Sequence, residues 1–109
     1  MRELVTKNDD RSPKIQYQIG DIYLHDLKNF SKSIQEYRKV IRMFPGTSQE
    51  PESFFMIGYI YSNILNDLVS GEKVYKNFLK KFPNHELSSS VKFELNNLGV
   101  PIEDIQEKK

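Results

Sequence analysis

The side chains able to do chemistry in this chain are few and scattered. His25 and His85 are its only histidines, one in an expected hairpin turn and the other in an expected linker, and both are read as solvated. Asp21 and His25 are four residues apart and share a helix face, but two ligands fall short of the three or four protein groups that hold zinc. The run Ser88-Ser89-Ser90 has no histidine nearby in sequence and no glycine elbow, so its serines are read as helix-start residues rather than as a nucleophile. Neither a glycine-rich cradle nor a glycine-lysine pair is present to hold phosphate. Asn29-Phe30-Ser31 fits a glycosylation acceptor and is read more simply as a helix cap. The absence of cysteine excludes disulfides and thiolate metal sites. The residues therefore predict no enzyme, no cofactor and no metal.

Composition narrows the partners further. The 109 residues are enough for one domain, with 38% hydrophobic and 28% charged residues and a net charge of +1. That balance argues against a protein built to neutralise phosphate, so no nucleic acid partner is expected. Lys73, Lys76, Lys80 and Lys81 form a basic strip, echoed by Lys32, Lys39 and Arg42, but Glu36 and Glu72 lie among them and a solvated face accounts for the pattern. No apolar run approaches the roughly 18 residues that span a bilayer, so no membrane span is expected. The start, MRELVTKNDD, lacks the apolar stretch of a secretory signal, which points to the cytoplasm. An envelope protein cut from its precursor would look the same, so the compartment stays open.

The elements that must position these side chains come in two copies. Gln16 to Pro45 overlays Phe54 to Pro83 without a gap after a shift of 38 residues, and a fixed period in this range marks stacked repeats. Gly20 falls on Gly58, Tyr23 on Tyr61, Asn29 on Asp67, Ser33 on Gly71 and Tyr37 on Tyr75. The Phe44-Pro45 pair falls on Phe82-Pro83. From Pro13, Ile15, Ile19, Ile22 and Tyr23 recur at helical steps and are read as the core side of a first helix. Asn29 and Asp67 offer side-chain oxygens to cap the next helix of each unit. That helix, Phe30 to Met43, buries Ile34, Tyr37, Val40, Ile41 and Phe44, and Pro45-Gly46 stops it. Helix three is expected from Pro51 to Asn63 or Leu65, helix four from Leu68 to Phe82, and helix five from Leu87 to Leu98 with Gly99 as its cap.

The predicted fold is all-α, a solenoid of about two and a half helical hairpins with five main helices. Residues 1–11 are read as a flexible lead-in and 12–99 as the repeat domain. Within it, repeat 1 spans 13–50, repeat 2 spans 51–88 and a terminal half-repeat spans 89–99. Residues 100–109 are read as a capping turn or tail in which Ile102 and Ile105 cover the end of the stack.

These residues resemble the tetratricopeptide repeat, whose pattern is W-x2-L-G-x2-Y, then A-x3-F, then P. The first part reads Gln16, Ile19, Gly20, Tyr23 and again Phe54, Ile57, Gly58, Tyr61. The second reads Ser33, Tyr37 and Gly71, Tyr75, and the prolines are Pro45 and Pro83. Gly20 and Gly58 lack a side chain where the helices of a hairpin approach, with the small Ser33 and Gly71 opposite. The unit is 38 residues long rather than the usual 34, with one extra residue in the hairpin turn and three between repeats. Val40 and Phe78 stand where the family usually has alanine. The long unit with a proline near each restart resembles the variety found in bacterial cell-envelope proteins, including the lipoprotein of outer-membrane barrel assembly and the periplasmic coordinator of the Tol-Pal system.

The resemblance implies a scaffold that binds a peptide or protein surface in a concave groove lined by the first helix of each unit. By that alignment the groove positions are Tyr17, Asp21 and Leu24, then Phe55, Tyr59 and Ser62, then Phe93 and Asn97. The large rings at Tyr17, Phe55 and Phe93 also read as core packed between neighbouring helices, for Phe55 as readily as a binding role. Tyr59 has the better claim, since Ile57 and Ile60 already fill the core face. The charge clamp by which some members grip a terminal carboxylate is not matched, so the expected ligand carries apolar or aromatic side chains. The alternative is a structural role, in which these repeats are one segment of a larger solenoid or form a homo-oligomer.

Overall fold

A computed structural model describes residues 11–100. Five α-helices and no strand are found among them: α1 (Arg11–Asp21), α2 (Phe30–Met43), α3 (Gln49–Tyr59), α4 (Leu68–Lys81) and α5 (Ser88–Asn96). Each helix packs on the next, and α1 also touches α3, as in a stack of hairpins. The expected lead-in, apart from Arg11, and the expected capping turn, apart from Val100, lie outside the described residues.

The repeat is legible in the local geometry. Asn29 and Asp67 cap α2 and α4, their side-chain oxygens accepting from the backbone N–H of Lys32 (3.1 Å) and Ser70 (3.2 Å). Phe44 and Phe82 leave helical geometry at φ −130° and −129°, as the prolines after them require. The extra residue of the hairpin turn does not lengthen the loop. It is wound into the end of the preceding helix as a wider π-helical turn, Ile22–Asp26 and again Ile60–Ile64. Leu27 and Leu65 donate back to the carbonyls of Ile22 (3.0 Å) and Ile60 (2.9 Å), five residues earlier. Lys28 and Asn66 then take positive φ values of 53° and 57°, one repeat apart. Helix α3 begins two residues ahead of its expected start because Pro51 is accommodated inside the first turn, where its missing N–H costs nothing.

Within each hairpin the closest approach is a glycine against a tyrosine ring. A Cβ on Gly20 would sit 2.6 Å from Cδ1 of Tyr37, and one on Gly58 would sit 2.5 Å from Cε1 of Tyr75. Both rings are fully buried, so neither can yield. A serine hydroxyl meets the glycine carbonyl in each unit, but it comes from different helices. Ser33 of α2 donates to Gly20 (2.8 Å), whereas Ser62 donates to Gly58 (2.6 Å) and leaves Gly71 where Ser33 would be.

Two clusters form the core. Leu24, Ile34, Tyr37, Ile57 and Ile60 join the first repeat to the second, and Tyr75, Phe78 and Val91 join α4 to α5. The assignment of Ile15, Ile19, Ile22 and Tyr23 to the core side of α1 is corrected here. Ile15 and Ile22 are 41% and 47% exposed and Ile19 and Tyr23 are half-buried, while Ser53, Ile57 and Ile60, one repeat on from Ile15, Ile19 and Ile22, are at most 1% exposed. The same stripe differs in burial because α2 lies against α3 and no described helix precedes α1. Two carboxylates are also buried among the described residues. Glu50 accepts from Lys81 (2.6 Å) and from the N–H of Gly46 (2.8 Å), tying the inter-repeat linker to the end of α4. Glu36 accepts from the Gln16 amide (2.7 Å) and from Lys39 (3.3 Å).

Two outcomes follow from these contacts. Gly58→Leu should lower stability by about 1 to 3 kcal/mol through overpacking, despite the better helix propensity of leucine. Thermal melting checks it, and a variant as stable as the parent would mean that Tyr75 yields freely. Glu36 supplies a pH test. Burial pushes its carboxyl up, but the Gln16 amide with Lys39 and Lys32 outweighs burial and holds it below the usual carboxylate value. A lowered carboxyl contributes stability above its unfolded value of about 4.3 and loses it as the pH falls through the lower folded value. Denaturant titrations across that range should therefore give Glu36→Gln a lower stability than the parent at neutral pH and a shallower loss in acid.

Candidate functional site

The expected groove residues lie on the first helix of each hairpin or at its end, and the structure sorts them into three groups by burial. Tyr17 and Phe55 are half-buried, each with its ring against the tyrosine of its own hairpin: Tyr17 lies 5.2 Å from Tyr37 and Phe55 lies 6.2 Å from Tyr75 between centroids. Tyr59, Asp21 and Asn97 are also half-buried. Asp21 accepts from the Tyr37 hydroxyl at 2.5 Å, and Asn97 donates to the carbonyl of Phe93 at 2.8 Å, so both have partners inside the domain. Leu24 and Ser62 are corrected: they are 4% and 7% exposed and face the neighbouring helices rather than a groove. Leu24 packs into the first core cluster, and Ser62 fills the space opposite Gly71. Phe93 is 48% exposed, because α5 has no described partner helix carrying a tyrosine to cover it.

Where the two repeats meet, Tyr17 and Phe55 come together in an open cleft of about 350 Å³. Met56 and Leu87 complete its apolar floor, and the exposed carboxylates Glu52 and Glu86 stand at it. The volume lies at the lower end of the range for ligand pockets, about 300 to 1,000 Å³. Burial, followed by the charges of Asp21 and Glu52, holds the Tyr17 phenol well above its ordinary value, so it stays neutral. Sequence reasoning missed Glu52, Met56, Glu86 and Leu87 as a group. Glu52 and Met56 are one turn apart on α3 and in register with Phe55, which was a usable signal. Glu86 and Leu87 arrive through the fold of the second linker, for which the sequence has no local sign.

That linker also corrects His85. Rather than being solvated, it is half-buried, with its ring 5.9 Å from Phe78 and 6.1 Å from Phe82, and its Nδ1 accepts from the N–H of Leu87 at 3.0 Å. The turn after Pro83 folds back over the end of α4 and carries His85 with it. On the opposite, basic side, Lys76 pairs with Glu72 at 2.9 Å and Lys81 with the buried Glu50. No group of three potential metal ligands occurs among the described residues, and none of the described helices is long and apolar enough to cross a membrane.

Two family models, each described as a tetratricopeptide repeat, match residues 13–47 and 52–85, between them more than half of the chain. Searches of curated proteins and of solved structures returned no match.

The two hairpin tyrosines provide a test of this surface. Tyr37 donates to Asp21, whereas the buried Tyr75 hydroxyl finds no partner in hydrogen-bond geometry among the described residues, since Tyr59 stands where Asp21 stands in the first repeat. Tyr37→Phe should cost about 1.5 to 3 kcal/mol for a bond to a charged group, and Tyr75→Phe should be neutral or stabilising. Chemical denaturation of the two variants measures the difference, and equal losses would contradict it.

Proposed function

Because the chain belongs to the tetratricopeptide repeat family, whose helical hairpins act as protein-interaction scaffolds, we propose that it binds a peptide or protein surface through the groove formed by its first-of-hairpin helices. The cleft between Tyr17, Phe55, Met56 and Leu87 carries this reading. Its floor comes from both repeats, it is apolar, and half-buried rings leave part of their faces to a ligand. An inserted apolar or aromatic side chain would contribute about 1.5 to 3 kcal/mol on full burial. Tyr59 and Phe93 extend the same face, and a segment in extended or helical form can follow it. The long unit's resemblance to cell-envelope members supports an assembly in a bacterial envelope as the setting.

The exposed Ile15 and Ile22 favour a second reading, in which the repeats form part of a longer or self-associating solenoid. A preceding second-of-hairpin helix would cover that stripe as α2 covers Ile57 and Ile60. Light scattering separates the readings. A monomer whose mass is unchanged by Ile15→Lys with Ile22→Lys is a binder with a spare apolar edge, and a larger species dissolved by those changes is a self-stacking solenoid.

For the groove, a binding partner obtained by pull-down allows a direct comparison. Tyr17→Ala with Met56→Ala should weaken binding at least about tenfold, while Lys76→Ala with Lys80→Ala on the basic side should leave it unchanged. The reverse pattern, in variants that remain folded by circular dichroism, would move the interaction to the basic face.

A further inference from the structure

The charges of this protein are sorted by helix. The second-of-hairpin helices α2 and α4 carry eight lysines and arginines and only two glutamates, and both of those glutamates are paired, Glu36 with Lys32 and Lys39, and Glu72 with Lys76. The cleft on the other side has the opposite character. Glu52 and Glu86 stand over its apolar floor, both are exposed, and neither has an ion-pair partner among the described residues. Lys14 repeats the register of Glu52 on α1 but does not line the cleft. Burial is the main cause of the raised Tyr17 phenol, and the further upward push from Asp21 and Glu52 agrees with an uncompensated negative field.

An occupant must satisfy both the floor and the rim. A purely apolar side chain would cover the rings but strip water from two carboxylates without replacing their hydrogen bonds, which is costly. An acidic side chain would meet like charge at the rim. The side chain that satisfies both is long, apolar along its stem and cationic at its tip. Lysine and arginine lay their methylenes on apolar surface, place their heads over aromatic faces and form charge-assisted hydrogen bonds with carboxylates. We infer that the cleft takes a basic peptide segment, with one lysine or arginine side chain lying across Tyr17 and Phe55 and its charged head at Glu52 and Glu86. This inference rests on the groove reading above and adds the chemical class of its ligand.

The probe is a set of three fluorescein-labelled dodecapeptides, measured by anisotropy with the full chain. All three share the same leucine and tyrosine positions, and the remaining positions are all arginine, all glutamine or all glutamate. The arginine peptide should bind at least about tenfold more tightly than the glutamine peptide, the glutamate peptide should bind least, and the preference should shrink as salt is raised. Glu52→Gln with Glu86→Gln should bring the arginine peptide to the level of the glutamine peptide. Lys76→Ala with Lys80→Ala should change none of the three. If the glutamine or glutamate peptide binds as tightly as the arginine peptide and Tyr17→Ala with Met56→Ala abolishes that binding, the groove stands and the basic class is wrong. If the arginine peptide fails to bind, or binds equally after Glu52 and Glu86 are neutralised, the inference is overturned. If the peptides bind but Tyr17→Ala with Met56→Ala leaves all of them unaffected, the groove reading falls with it.

Discussion

Everything in this structure hangs on the contact of a bare helix backbone with a tyrosine ring. Gly20 lies against Tyr37 and Gly58 against Tyr75, at distances that leave no room for a methyl group. Close approach sets the angle of each hairpin, and the angle decides where the far faces of the helices point. Because each tyrosine is fully buried, its ring also serves as the wall on which Tyr17 or Phe55 rests. The two aromatic side chains at the candidate cleft are thus held from behind by the contact that closes each hairpin. A pre-positioned ring loses little freedom when a ligand covers it, which favours binding.

The second constraint is that the chain has one residue more per hairpin than the common tetratricopeptide unit. Winding that residue into a π-helical turn keeps the helix going to the hairpin and preserves the caps at Asn29 and Asp67. The loosened helix end is held by a serine hydroxyl on the glycine carbonyl. That the hydroxyl comes from Ser33 in one unit and Ser62 in the other shows that the requirement belongs to the carbonyl and not to a sequence position.

The repeat pattern made the hairpins, their caps, their glycine contacts and their proline stops legible, since each depends on residues recurring at a fixed spacing. What it could not give was the environment of an otherwise equivalent face. Ile15 and Ile22 read as core because they recur with Ile19 and Tyr23 at helical steps, yet burial belongs to the neighbour and α1 has no described neighbour ahead of it. The bond between Glu50 and Lys81 joins residues 31 apart through a linker geometry that no local pattern encodes. The candidate site was legible in part for the same reason. Tyr17 and Phe55 came from the family resemblance together with the repeat register, whereas Glu86 and Leu87 reached the cleft through a turn, and Leu24 and Ser62 were drawn into the core by partners on other helices.

The functional account places the ligand at the junction of the two repeats, on the side away from the lysine-rich helices. Backbone amide chemical shifts of the isotopically labelled chain, followed as the arginine dodecapeptide is added, test that placement most directly. The account predicts that the largest changes cluster at Tyr17, Glu52, Phe55, Met56 and the turn at Glu86 and Leu87, with α2 and α4 nearly unmoved on their exposed faces. Changes concentrated along Lys73, Lys76 and Lys80, with the junction silent, would contradict it.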